Sequence, residues 1–131
     1  AQKLLAAYNG IYGVTLYHNW VTYYGPKGIM PYFLKTEGPV ALMAWRMLGC
    51  LLLGITYGLL TAGPKDKTAL KIATVGQAMM LPLMAMAGFG TDAATYAQTM
   101  WKTQLVVHAA MTYVGYSASQ PTKTRSSSRR R

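Results

Sequence analysis

Residues 40–62 form an apolar run, VALMAWRMLGCLLLGITYGLLTA, in which the only charged residue is Arg46. The hydrocarbon core of a bilayer is roughly 30 Å thick, and a helix that rises about 1.5 Å per residue crosses it in about 20 residues. The run has that length and lies between Gly38-Pro39 and Gly63-Pro64, which are typical of helix ends. It therefore predicts a transmembrane helix in an integral membrane protein.

The composition fits lipid as the solvent. Of the 131 residues, 52% are hydrophobic and 12% are charged, whereas roughly a quarter are charged in soluble domains. A net charge of +10 would suggest nucleic acid as a partner, but five of the cations lie in the last nine residues and most others lie in short connections. No basic face interleaved with aromatic residues remains, so we expect no nucleic-acid partner.

Three further segments have the length of a span, at residues 3–24, 68–88 and 93–116. The first contains Asn9, His18 and Asn19, so an interfacial position is the alternative to a span. We favour the span, because its Gly10 and Gly13 allow close helix packing and because aromatic residues at its end suit a membrane interface. These aromatic residues are Trp20, Tyr23 and Tyr24.

The connections between these segments carry further signals. Residues 25–38 contain two prolines and cannot form one regular helix, although an interfacial turn at residues 32–34 is an option. Thr68 is a candidate N-cap, and Pro82 predicts a kink in the third helix. In the second helix, Gly54 and Gly58 form a small-xxx-small pattern that predicts close contact with another helix.

The predicted fold is all-α: an integral membrane bundle of four transmembrane helices over residues 1–116, followed by a basic low-complexity tail over residues 117–131. Cations near span ends accumulate on the side that is not translocated. Four spans place Lys3, Lys65, Lys67 and the tail on that side, so both termini are expected to be cytoplasmic, stromal or matrix-facing. Three spans with an interfacial first helix is the alternative, since only Lys3 would change sides.

Polar residues at membrane depth are costly and usually have partners. Helix rise places Arg46, Lys102, His18 and Asn19 at similar distances from one side of the membrane; we call these four residues the first polar layer. The two cations make this layer a candidate site for an anionic lipid, cofactor or substrate. The alternative is that both cations extend toward the headgroups and that the layer is structural.

A second polar layer, defined by Asn9, Gln77 and His108, lies nearer the other side by the same arithmetic. Neutral amide and imidazole groups of this kind commonly form hydrogen bonds between helices. The functional alternative is pigment contact, in which an imidazole nitrogen or amide oxygen ligates chlorophyll. His108 is the first candidate, and His18, Gln77 and Asn9 are the others; chlorophyll, carotenoid and lipids are the corresponding candidate ligands.

No catalytic motif is present. All three acidic residues lie in connections, and the chain lacks GxSxG, P-loop and HExxH motifs as well as the Cys or His spacing of a metal site. The chain alone is therefore not expected to be an enzyme or to bind a catalytic metal.

The segment AWRMLGCLLLGITYGLL, residues 44–60, follows a tyrosine-rich and glycine-containing first helix and a proline-bearing connection, and two further helices succeed it. This order, together with Arg46-Met47-Leu48-Gly49 near the start of the second helix, resembles the DoxX-like group of small four-helix membrane proteins. The resemblance implies the four-helix fold. It also implies a possible partnership with quinone-linked oxidoreductases, although the long first connection and the basic tail depart from the group.

These features favour a non-catalytic accessory subunit of a large energy-transducing membrane complex. We rank a photosystem in the thylakoid first, with pigment contacts and a role in stabilising assembly. A mitochondrial respiratory complex or ATP synthase comes second, and a stand-alone transporter or quinone-linked redox partner is the contrasting class. The expected partners are other subunits and membrane lipids. Because the chain begins at Ala1 rather than methionine, we also expect that an organellar targeting peptide has been removed.

Overall fold

The fold is all-helical. A computed structural model describes residues 1–35, 38–63 and 65–120, so the tail cations Lys123 to Arg131 lie outside the described residues. The four helices are α1 (Gln2–Tyr24), α2 (Pro39–Thr61), α3 (Thr68–Phe89) and α4 (Gln98–Ser119). Within the described ranges the chain forms no strand beyond an isolated antiparallel bridge between Phe33 and Tyr96.

Two of the helices, α2 and α3, are long and apolar enough to cross a membrane. Of the 23 residues of α2, only Gly49 and Leu59 are buried, and large apolar side chains such as Met47 and Leu51 are exposed. The helices α1 and α4 carry more polar residues and do not meet the same criterion of length and composition. Two of the four predicted spans are therefore helices with the length and composition of a membrane span.

The helices run alternately up and down, and both ends of the described chain lie at the same end of the bundle. A buried cluster there joins Leu5 near the start of α1, Leu59 near the end of α2, and Leu70 and Ala73 near the start of α3. Val114 and Ala118 of α4 pack against this cluster. Most helix contacts occur within two pairs, α1 with α2 and α3 with α4, and the pairs touch each other more sparsely.

Close approach of α1 and α2 depends on glycine. A Cβ atom at Gly49 would lie 2.6 Å from the backbone nitrogen of Tyr17 and 2.8 Å from the carbonyl oxygen of Gly13, which is too close for any side chain. The small face predicted at Gly10 and Gly13 therefore does meet α2. Of the other two glycines of α2, Gly58 faces α3, where a Cβ would lie 3.5 Å from that of Ala69, whereas no atom lies within 4 Å of a Cβ placed at Gly54.

The helix α1 is interrupted near its end. Asn19 has an extended backbone, with φ −167° and ψ 101°, and its side-chain oxygen accepts a hydrogen bond from the backbone N–H of Val21 at 3.1 Å. An extended residue whose side chain accepts a bond two residues later is the geometry of a helix N-cap. Asn19 thus starts a new helical turn that places Trp20 and Tyr24 inside the bundle.

Aspartates organise the connections before α3 and α4. Asp66, not the predicted Thr68, supplies the polar oxygen at the start of α3, accepting the N–H of Thr68 at 2.8 Å. Asp92 accepts the N–H of Thr95 through its side chain at 3.1 Å and the N–H of Tyr96 through its carbonyl at 3.2 Å. This turn delays α4 to Gln98, five residues after the predicted start at Ala93, and α4 then continues beyond residue 116 to Ser119.

The connection between α1 and α2 folds onto the end of the bundle. The N–H of Leu34 donates to Thr95 at 2.8 Å, and the N–H of Ala97 donates to the carbonyl of Tyr32 at 2.9 Å. Trp20 is 1% exposed and Tyr24 is 3% exposed. The predicted interfacial aromatic belt is therefore wrong for these two residues, which belong to a buried aromatic cluster.

Candidate functional site

A partly open cavity of about 130 Å³ lies where the two helix pairs meet; we call it the tyrosine pocket. All four helices and the first connection contribute to its lining. Polar side chains on one part of the wall come from α1, α4 and the connection: Tyr8, Asn9, Tyr12, Tyr24, Tyr32, Gln104 and His108. The remaining wall is aliphatic, thioether or aromatic: Leu16, Phe33, Trp45, Leu48, Leu52, Met80, Met84 and Trp101.

Gln104 is the centre of the hydrogen bonding in the pocket. Its side-chain oxygen accepts bonds from the hydroxyls of Tyr12 and Tyr32, each at 2.8 Å. Its side-chain nitrogen donates to the Tyr8 hydroxyl at 2.6 Å. One amide therefore joins two turns of α1, the first connection and α4, and it holds three tyrosine rings in place around the pocket.

His108 continues this chain of hydrogen bonds to α3. Its Nε2 lies 3.1 Å from the carbonyl oxygen of Gln77, and its Nδ1 lies 2.8 Å from the Tyr8 hydroxyl. A carbonyl can only accept, so Nε2 carries the proton, and in a neutral imidazole Nδ1 then accepts from Tyr8. The donor directions are thus consistent from Gln104 through Tyr8 and His108 to Gln77.

Aromatic rings pack continuously along the pocket. The ring centroids of Tyr12 and Tyr24 are 5.7 Å apart and nearly parallel, and those of Tyr32 and Trp101 are 5.1 Å apart. The Trp101 indole N–H also donates to the Tyr32 carbonyl at 2.8 Å. Burial raises the pKa of the Tyr32 hydroxyl, so this hydroxyl is protonated and can donate to Gln104.

The second polar layer lies inside the bundle, as predicted, but neither of its side-chain amides bonds to His108. Asn9, Gln77 and His108 are all buried, with 4%, 4% and 6% of their surfaces exposed. Asn9 donates to the carbonyl of Leu5 in its own helix at 2.8 Å. Gln77 reaches His108 through its backbone, and its side-chain amide has no hydrogen-bond partner in the described part of the chain.

The first polar layer is not brought together. Arg46, Lys102 and His18 are all exposed, and Asn19 bonds to its own backbone. The Lys102 ammonium lies 4.9 Å from the centre of the Phe89 ring, a cation–π distance. Outward exposure of Arg46 and Lys102 fits the alternative in which both cations extend toward headgroups.

Five polar residues of the site were not among the predicted site residues: Tyr8, Tyr12, Tyr24, Tyr32 and Gln104. A signal for three of them was present: Tyr8 and Tyr12 are four residues apart, as are Gln104 and His108, so each pair shares one helix face. Two polar pairs at this spacing on apolar helices indicate facing partners. Which helices face each other is not encoded in that spacing.

Pigment ligation by His108 remains a prediction, and it would require the loss of a hydrogen bond. Both ring nitrogens of His108 already have hydrogen-bond partners, so axial ligation would displace either Tyr8 or the Gln77 carbonyl. As for metals, the described residues contain no group of three or more His, Cys, Asp or Glu side chains placed to hold an ion.

Comparison with known proteins does not identify a family for the chain. No family model matches the chain, and no curated protein or solved structure matches it significantly. The resemblance to the DoxX-like group is therefore neither supported nor contradicted, and the function must be argued from the geometry.

Proposed function

We propose that this chain is a non-catalytic integral membrane protein whose four helices all cross the bilayer, and that it serves as a small accessory subunit. One observation carries the proposal: the polarity of α4 is inverted relative to a soluble protein. Its buried residues are Gln104, His108 and Gly115, whereas its exposed residues include Val106 and Val107. A helix in water would bury the valines and expose the amide.

The helix α1 shows this pattern only in part. It buries Asn9, while the apolar side chains of Ile11 and Val14 are exposed. It also buries Leu16 and Trp20, as a helix in water would. The exposed apolar side chains of α1 nevertheless suit lipid as their surroundings.

The ends of the bundle support this orientation. Lys3, Lys65, Lys67 and Lys71 are concentrated at the end that holds both termini of the described chain, with Asp66 as the acidic residue there. At the opposite end, Lys27, Lys35 and Lys102 accompany Asp92, so the larger part of the excess comes from the five cations of the tail in the sequence. This excess of cations favours a cytoplasmic, stromal or matrix location for the end with the termini.

The non-catalytic role is supported by the chemistry of the interior. The side chains joined in the pocket are tyrosine hydroxyls, an amide and an imidazole that bond to one another, and no carboxylate or thiol of the described residues lines the pocket. Such a network holds helices together and shapes a cavity. From the sequence alone, we propose a photosystem as the complex that contains this subunit, and a mitochondrial complex as the second candidate.

Cysteine labelling tests the four-span topology. Cys50 is first replaced by alanine, and single cysteines are placed at the exposed positions Lys3, Lys65 and Ser117, with Lys27 as the opposite-side control. In sealed vesicles, a membrane-impermeant maleimide should label the first three from one face and Lys27→Cys from the other. Labelling of Lys3→Cys and Lys27→Cys from the same face would show that α1 does not cross.

The accessory role is tested on the native assembly. The protein, carrying an affinity tag, is purified from its own membranes in mild detergent. We expect it to elute as part of a complex far larger than its 14.3 kDa. An absorption spectrum of that complex then distinguishes chlorophyll from haem. Elution of the chain alone across a range of detergents would contradict the accessory role.

A further inference from the structure

The tyrosine pocket has the properties of a ligand site, which goes beyond an accessory role. We propose that it binds an uncharged molecule with a single aromatic ring and one hydroxyl group, a phenol-type ligand. This inference rests on the volume of the pocket, the character of its wall and the remaining hydrogen-bonding capacity of its polar groups. It does not depend on which membrane complex contains the protein.

The volume selects the size of the ligand. The pocket measures about 130 Å³. An apolar cavity of about 150 Å³ in a protein interior accommodates one benzene ring and stays free of water. The tyrosine pocket is therefore large enough to enclose one six-membered ring.

The wall selects an aromatic and uncharged ligand. Ring faces and edges from Tyr12, Phe33 and Trp101 surround the pocket, and aromatic rings pack favourably against one another in offset and edge-to-face arrangements. No charged side chain lines the pocket among the described residues. An ionised ligand would have to give up its hydration without gaining a counter-charge, which is strongly unfavourable.

The polar groups select the hydroxyl. Gln104 has two N–H groups, of which one donates to Tyr8, and the other has no hydrogen-bond partner in the described ranges. The hydroxyls of Tyr12 and Tyr32 donate to Gln104 and keep oxygen lone pairs that can accept. A ligand hydroxyl both accepts and donates, so it can bond to the free N–H of Gln104 and to one tyrosine oxygen.

Tryptophan fluorescence provides the test on the full chain in detergent micelles. All three tryptophans lie near the pocket: Trp45 and Trp101 line it, and the Trp20 ring is 5.7 Å from the Trp45 ring. The probe is 4-bromophenol, whose bromine quenches indole emission on contact. We expect saturable quenching, and we expect no saturation with the anionic analogue 4-bromobenzoate.

Two neighbouring leucines separate pocket binding from partition into the micelle. Leu52 lines the pocket, whereas Leu51 is 61% exposed on the outer face of α2. Leu52→Phe fills the pocket and should weaken 4-bromophenol binding by at least about tenfold. Leu51→Phe adds the same atoms outside and should leave binding unchanged. Linear, unsaturable quenching that is equal in all three proteins would overturn the proposal, since water or lipid chains would then fill the pocket.

Gln104→Met tests the hydroxyl, because methionine keeps the length of the side chain and removes the amide. Binding of 4-bromophenol should weaken about three- to tenfold while binding of bromobenzene is retained. Equal weakening of both ligands would overturn the assignment of the hydroxyl. If Gln104→Met does not fold, 4-bromoanisole replaces it as a probe of the unmodified chain. Its ether oxygen cannot donate, so tighter binding than that of 4-bromophenol would refute the same assignment.

Discussion

At the scale of single residues, Gly49 and Gln104 have the clearest individual roles. Gly49 sets the distance between α1 and α2, since it leaves no room for a side chain between the two backbones. Gln104 sets the positions of three tyrosine hydroxyls around the pocket. Gly49 acts through its small size and Gln104 through its hydrogen bonds, and each role can be tested against a control substitution on the same helix as the variant.

Gly49→Ala should destabilise the protein by about 2 kcal/mol or more, because its methyl group would collide with the backbones of Tyr17 and Gly13 and the helices would have to separate. Thermal unfolding in detergent measures this loss. Gly54→Ala is the control on the same helix: with open space around it, alanine should be neutral or stabilise the helix by about 0.5–1 kcal/mol. Equal effects at both positions would contradict the helix crossing described above.

Tyr8→Phe should destabilise the protein by about 1–3 kcal/mol, because it leaves both Gln104 Nε2 and His108 Nδ1 without their partner. Tyr17→Phe removes a hydroxyl from an exposed ring of the same helix and should leave the unfolding temperature unchanged. If Tyr8→Phe behaves like Tyr17→Phe, the hydrogen-bond chain does not join α1 to α4.

At the scale of elements, helix bounds were predicted most closely where an apolar run ends at a clear turn signal. The bounds of α2 and α3 lie within one residue of those predicted, since apolar runs between Gly-Pro pairs and a polar turn leave little choice. The start of α4 was missed because Asp92 stabilises a turn that competes with the helix. The Gly54 and Gly58 pattern did not identify the closest helix contact, because such patterns fit several helix faces and the crossing with α1 lies at Gly49.

The same limit applies to the candidate site. Helix rise placed Asn9, Gln77 and His108 at one depth, and the structure buries all three. Depth does not determine rotation about the helix axis, so the hydrogen-bond partners were not predicted. The interruption at Asn19 also escaped prediction, because an asparagine can occur both at a helix cap and within a helix, and the residues next to it do not distinguish the two.

The interruption of α1 gives a prediction at this scale. Asn19→Ala removes the acceptor for the Val21 N–H and should cost about 0.5–2 kcal/mol, as for other helix N-caps. Asn19→Ser keeps a capping oxygen and should restore most of that stability. Chemical denaturation of both variants in detergent gives the comparison. Equal stability of alanine and serine would mean that the turn after residue 19 is held by packing of Trp20 and Tyr24 alone.

At the scale of the whole molecule, two helix pairs are joined by side chains around a pocket more than by backbone contact. Their two connections differ in role. The segment between α2 and α3 is exposed at Lys65 and Asp66, whereas the segment between α1 and α2 contributes Tyr32, which is 6% exposed and bonds to α4 through Trp101. The second connection only links α2 to α3, whereas the first connection packs into the bundle.

A chain divided between Lys65 and Asp66 should therefore reassemble from two co-expressed fragments, since no buried contact is lost at the exposed turn. A chain divided between Gly28 and Ile29 should not, because the segment that follows must fold back on the end of α1, where Met30 donates to Tyr23 at 2.9 Å. Co-elution of the fragments on size-exclusion chromatography is the measurement. Reassembly in both cases would show that the first connection is dispensable.

The bonding of Tyr8 and Tyr12 to residues of α4 has a consequence for biogenesis on the proposed topology. As the chain emerges from the ribosome, α1 enters the membrane with these hydroxyls unpaired, and their partners Gln104 and His108 are synthesised about 100 residues later. The hydrogen bonds of α1 can therefore form only after α4 has been synthesised. Chains truncated before α4 should retain a poorly inserted α1, which would mark incomplete products for degradation before they reach any partner.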